Sequence, residues 1–106
     1  MPPPLWKDDM KTYTICGSMR YEKQMQEIAY YLETKKGYSI LQCVYTPDGV
    51  ELSEEDLKKL EDAHYRKIDL SDGIYVLNID GYIGESVGKE IEYARKHGKD
   101  IVYYCD

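Results

Sequence analysis

The sequence predicts an α/β domain in which a small parallel sheet is covered by helices on both faces. Three observations carry this. Short apolar runs alternate along the chain with amphipathic stretches of helix length. The apolar runs are continuous rather than alternating in polarity, as strands buried on both faces are. The whole chain is 106 residues, room for one domain and one modest core.

The elements follow in order. Thr12 to Cys16 is the first strand, ended by Gly17-Ser18. From Met19 to Lys36, Met25, Ile28, Ala29 and Leu32 recur at i, i+3, i+4 and i+7, one apolar helical stripe, and Gly37 stops it at C′. Ser39 to Tyr45 is the second strand, and Thr46-Pro47-Asp48-Gly49 a turn. Ser53 caps a helix with three acids in its first turn, running to Ile68 with Leu57, Leu60 and Ile68 on one side. Ile74 to Ile79 is the third strand. Asp80 to Glu85 is a glycine-containing loop, and Ser86 caps a helix over Val87 to His97 that Gly98 closes. Ile101 to Tyr104 is the fourth strand. Right-handed crossovers then give a flavodoxin-like three-layer sandwich with strand order 2-1-3-4. The expected organisation is an arm over 1–11, which contains Trp6, and a single domain over 12–106.

In such a sheet ligands bind where the strand order reverses, at the carboxyl ends of the strands. That point lies between Gly17–Arg20 and Asn78–Ser86. Placing the helices on a wheel shows which polar residues face it. Glu90 falls about 60° from Val87 and about 40° from Ala94, bordering the inward stripe in the first part of its helix. His64 falls about 20° from Leu57 and about 40° from Ile68, on the apolar face of the second helix. A carboxylate there is either a positioned nucleophile or acid/base, or a charge at the rim of an interface. The imidazole is either catalytic or a hydrogen-bonded core residue. His97, at a helix end, is a cap.

The loop Gly17-Ser18-Met19-Arg20 opens a helix with a glycine, a hydroxyl, free amides and a guanidinium, the ingredients of a phosphate site. Gly81, Gly84 and Ser86 repeat the pattern before the last helix, and Tyr82 is a candidate for the pocket rim. Asp80, at the mouth of the third strand, is a further candidate acid or a loop cap. The receiver-domain reading fails for want of an acidic pair after the first strand, and flavodoxin itself for want of a Thr/Ser-rich flavin cradle.

Charge and cysteines narrow the partners. A net charge of −6 without a basic cluster excludes a nucleic-acid polymer as ligand but not one phosphate on local donors. No apolar run is long enough to span a membrane. Cys16, Cys43 and Cys105 show neither a CxxC spacing nor paired histidines, so the expectation is reduced core thiols in a cytoplasmic protein, with no metal and no cofactor.

Ile15-Cys16-Gly17-Ser18-Met19-Arg20, Ser71 to Gly81, Glu90-Ile91-Glu92-Tyr93-Ala94 and Gly98-Lys99 together resemble the nucleoside 2-deoxyribosyltransferase superfamily, and its 2′-deoxynucleoside 5′-phosphate N-hydrolases in particular. The resemblance spans residues 12 to 104. It implies cleavage of an N-glycosidic bond, by hydrolysis or transfer, with Glu90 attacking the anomeric carbon to form a glycosyl-enzyme ester. It also implies that the loop carrying Gly17, Ser18 and Arg20, with Ser86 at the helix start, binds a 5′-phosphate. Two positions depart from the pattern. His64 stands where the family has the Asp that protonates the leaving base, a task histidine as a residue type performs near neutral pH. Thr14 stands where a strand-1 tyrosine faces the nucleophile, leaving Tyr82 or Tyr45 to supply a phenol. The alternative function is a non-catalytic nucleotide-binding or sensing module on the same fold.

The chain has 12 tyrosines and no phenylalanine, a bias toward rings with a wet edge. Family relatives are oligomers, and the expectation here is a homodimer with Tyr30, Tyr31, Tyr93, Tyr103 and Tyr104 as candidates for its face.

Overall fold

The computed structural model describes Pro4, Trp6 and residues 9–105. Of the arm expected over 1–11, positions 1–3, 5, 7 and 8 lie outside the described residues, as does position 106, while Trp6 is exposed to solvent. The strands are β1 (Thr12–Cys16), β2 (Ser39–Leu41), β3 (Gly73–Val76) and β4 (Asp100–Tyr103); the helices are α1 (Glu22–Lys35), α2 (Glu54–Leu70) and α3 (Glu85–Lys96). All the strands are parallel, in the order β2-β1-β3-β4. This is the flavodoxin-like α/β architecture expected.

Alternation along β1 divides the core. Tyr13 and Ile15 point to one face, where Met25, Ala29 and Leu32 of α1 cover them together with Ile40 and Leu77. Cys16 points to the other, where Ile74 and Val76 meet Ile68 of α2 and Val87, Ile91 and Ala94 of α3. Gly37, at φ +72°, ends α1 as its sequence position requires. Ser53 and Asp56 form a reciprocal capping box at the start of α2.

Four of the boundaries that differ from expectation shape the loops around the sheet. The first helix begins as a 3-10 turn over Met19–Tyr21, with Ser18 accepting from the Arg20 amide at 3.3 Å. β2 stops at Leu41 instead of Tyr45, because the Gln42 carbonyl leaves the ladder and accepts from Lys67 Nζ of α2 at 2.7 Å. The run stays apolar because Cys43 and Tyr45 pack on the α1-side core. β3 ends at Val76 instead of Ile79. Asn78 exchanges two 2.8 Å hydrogen bonds with the Cys105 backbone, and a 3-10 turn over Ile79–Gly81 follows. Ser86 does not cap α3: the Gly84 carbonyl already accepts from the Gly88 amide at 2.9 Å, so Gly84 is the N-cap and Ser86 lies inside the first turn.

The stripe of α2 also divides. Ile68 is fully buried, whereas Leu57 is 51% exposed, so the amino-terminal half of α2 stands off the sheet and walls a cleft instead.

Candidate active site

The cleft holds about 600 Å³ at the carboxyl ends of β1 and β3, where the strand order reverses. Gly17 shapes its floor. A Cβ at that position would stand 2.6 Å from Met25 Sδ and 3.2 Å from Leu77 Cβ, both in buried side chains, so any larger residue here would have to displace Met25. Ser18 and Met19 line one side, His64 and Tyr65 of α2 another, and Gly84, Ser86 and Glu90 a third. Tyr82 closes the rim.

At the inner end three elements converge. Glu90 Oε1 lies 3.0 Å from His64 Nε2, with the two side chains only 13% and 12% exposed. Cys16 Sγ lies 3.5 Å from the same nitrogen and is itself 1% exposed. With Nε2–H donating to the carboxylate, the imidazole fixes the direction of Glu90; its Nδ1 is buried without a hydrogen-bond partner among the described residues. Burial, and after it the charge of Glu90, pushes the Cys16 thiol well above its ordinary value, so the sulfur keeps its proton. Burial first and Glu90 second also hold the Tyr65 phenol above its ordinary value. The Glu90 carboxylate is itself largely removed from solvent, with the His64 ring as its hydrogen-bond partner.

Of the residues singled out from the sequence, Gly17, Ser18, Met19, His64, Tyr82, Gly84, Ser86 and Glu90 all border this one cleft. Arg20 and Asp80 do not. The Arg20 guanidinium is exposed and lies over the Tyr82 ring, 4.2 Å from its centroid, bridging the two loops outside the cleft lining. Asp80 is exposed at φ +55° on the turn after β3 and is not among the residues that line the cleft. The phenol candidates sort as well. Tyr45, pushed up to about 12 chiefly by burial, bonds Gln42 Oε1 at 3.2 Å and borders neighbouring grooves instead. Thr14 is occupied elsewhere, its hydroxyl 2.5 Å from Ser71 Oγ.

Sequence reasoning missed Cys16 and Tyr65. Cys16 lies two residues beyond Thr14, so the period of a strand puts it on the same face and one step nearer the ligand end. Its apolar setting hid that signal. The first turn of α3 completes the site: Gly84 supplies no side-chain cap, and Gly84, Glu85, Ser86 and Val87 all line the cleft. Cys16, His64 and Glu90 also offer one sulfur, one nitrogen and one oxygen, all within 4.8 Å of one another.

In comparisons with known proteins, no family model, no curated protein and no solved structure matches this chain.

Proposed function

We propose that the cleft binds a nucleoside or nucleoside 5′-monophosphate and cleaves its N-glycosidic bond, by hydrolysis or transfer, with Glu90 as the nucleophile. The observation that carries the reading is the Glu90 carboxylate, 13% exposed and directed by His64 at 3.0 Å, at the inner end of a cleft beside an uncapped helix N-terminus. The sequence resemblance supplies the substrate class.

The chemistry balances in two steps. Glu90 oxygen forms a bond to C1′ of the sugar as the C1′–N bond breaks, and the departing base takes a proton from His64 in its imidazolium form, which is left neutral. Water then attacks C1′, the ester C–O bond to Glu90 breaks, and the water proton returns to His64; a second base in place of water gives transfer. Tyr65, whose phenol keeps its proton, donates to the charge that develops on Glu90 or on the leaving base. A 5′-phosphate is held by the amides after Gly84 and by the Ser18 and Ser86 hydroxyls. Arg20 reaches it by leaving the Tyr82 ring.

Incubating the protein with a panel of nucleoside and deoxynucleoside monophosphates tests this. Free base is expected from wild type, with a loss on the order of 10³-fold or more in Glu90→Ala. Binding without release, unchanged in Glu90→Ala, overturns the enzyme in favour of a nucleotide sensor. The same reading includes a homodimer, since Tyr30, Tyr31, Tyr103 and Tyr104 stand exposed. Tyr93 is instead satisfied within the chain, bonding Asp69 at 2.6 Å. Light scattering at micromolar concentration is expected to give twice the 12.4 kDa chain mass, and the chain mass itself counts against the dimer.

A further inference from the structure

We propose that Cys16 Sγ, His64 Nε2 and a Glu90 carboxylate oxygen form a reversible binding site for a divalent transition metal of the zinc type, with its fourth position open to the cleft. The proposal goes beyond the glycosidase reading, and the site itself does not depend on it.

The geometry is the main argument. Zinc takes thiolate sulfur at about 2.3 Å, imidazole nitrogen at about 2.0–2.1 Å and carboxylate oxygen at about 2.0–2.2 Å, almost always as a tetrahedron. At tetrahedral angles those bonds place sulfur and nitrogen about 3.6 Å apart, and nitrogen and oxygen about 3.3 Å apart. The structure has 3.5 Å between Cys16 Sγ and His64 Nε2 and 3.0 Å between His64 Nε2 and Glu90 Oε1. Two of the three donor edges therefore already match those of a coordination tetrahedron, and the third, from Cys16 Sγ to the Glu90 carboxylate, lies within 4.8 Å.

The donors are also of the right kind and are well held. Thiolate with imidazole selects zinc over magnesium or calcium, which prefer oxygen. The three come from β1, α2 and α3, elements already fixed by the sheet, so little ordering accompanies binding. The Cys16 S–H proton leaves to solvent as the sulfur–metal bond forms, and the His64–Glu90 hydrogen bond gives way to two metal bonds. One thiolate and one carboxylate then neutralise the two positive charges of the ion, which suits a site this buried. Because His64 and Glu90 border the cleft, the remaining coordination position faces solvent or ligand, the three-residue arrangement of an open zinc centre.

His64 Nδ1 explains why the binding is reversible. In the metallated state that nitrogen carries the ring proton, and it is buried without an acceptor among the described residues. Permanently loaded centres give this N–H a carboxylate or carbonyl partner. A metal here exchanges instead, and while bound it takes up the carboxylate that attacks the sugar. Zinc therefore competes with the proposed chemistry, the one consequence that does rest on the function proposed above.

Cobalt(II) titration of the full chain under reducing conditions tests the site directly. The expected result is a sulfur-to-cobalt charge-transfer band with visible bands of tetrahedral intensity, saturating at one ion per chain and erased by Zn²⁺ or by a chelator. The charge-transfer band should vanish in Cys16→Ser, binding should weaken in His64→Ala and Glu90→Gln, and Cys43→Ala and Cys105→Ala should leave the spectrum unchanged. Should Cys16→Ser fail to fold by near-ultraviolet circular dichroism, His64→Ala and the other two cysteine variants still assign the sulfur. A spectrum without the charge-transfer band, or one that disappears with Cys43 or Cys105 and survives loss of His64, overturns the site. These readouts need no turnover, so they stand if no base is released. If base is released, Zn²⁺ at the concentration that erases the cobalt spectrum is expected to abolish it, and unimpaired turnover there overturns the competition.

Discussion

Thr14 and Cys16 share one face of β1 and end in different chemistry. The Thr14 hydroxyl meets Ser71 Oγ, which in turn donates to the Lys67 carbonyl at 2.7 Å, so a short hydrogen-bonded chain ties β1 to the end of α2. Thr14→Val leaves the buried Ser71 oxygen without that donor. The expected cost is about 1 kcal/mol, a fall of roughly 4–8 °C in Tm by thermal melt, with the cleft residues untouched. An unchanged Tm would show that the contact contributes nothing net. Glu90 and His64 were legible as single residues, because a helical wheel exposes any polar side chain on an apolar face. Their pairing was not, since it depends on how α2 and α3 lean together over β1. Cys16 was harder still: a thiol in an apolar run looks like core, and it is core as well as site.

Among the elements, the order β2-β1-β3-β4 and every helix were readable from period and punctuation. The lengths of β2 and β3 were not. In both, apolar character continues past the last ladder bond because the side chains go on packing after the backbone has turned to other partners. Ser86 failed as a cap for a related reason: glycine at Gly84 closes the turn with its backbone alone. α2 is held unevenly. Ile68, Lys67 and Ser71 secure its carboxyl end, while Leu57 and Leu52 at the other end remain substantially exposed. Amide hydrogen exchange should therefore be graded along α2, faster in the turns after Ser53 than around Ile68, and slowed in the first turns by an occupied cleft. Uniform protection along the helix would refute that gradient.

For the whole molecule, replacing phenylalanine by tyrosine throughout has a cost in alkali. Burial is the first cause that holds the Tyr13, Tyr45, Tyr65 and Tyr75 phenols above their ordinary values, Tyr45 at about 12. The folded chain thus keeps protons that the unfolded chain gives up first. Stability is intact below the ordinary phenol value of about 10 and declines as pH rises through it toward the folded values. The urea midpoint is expected to fall across that range, and less steeply in Tyr45→Phe; a flat midpoint would contradict the burial argument. The pairing of β1 with β3 bears on how this chain folds. It joins positions 60 residues apart, as in the bond from the Thr12 amide to Asp72, and it is this pairing that brings the end of β1 under α3. Closing so long a loop precedes any reward from the contacts it makes. A chain that lacks this pairing does not bring Cys16 to His64 and Glu90, so the spectroscopic or chemical signature of the site reports on chains in which β1 and β3 have paired.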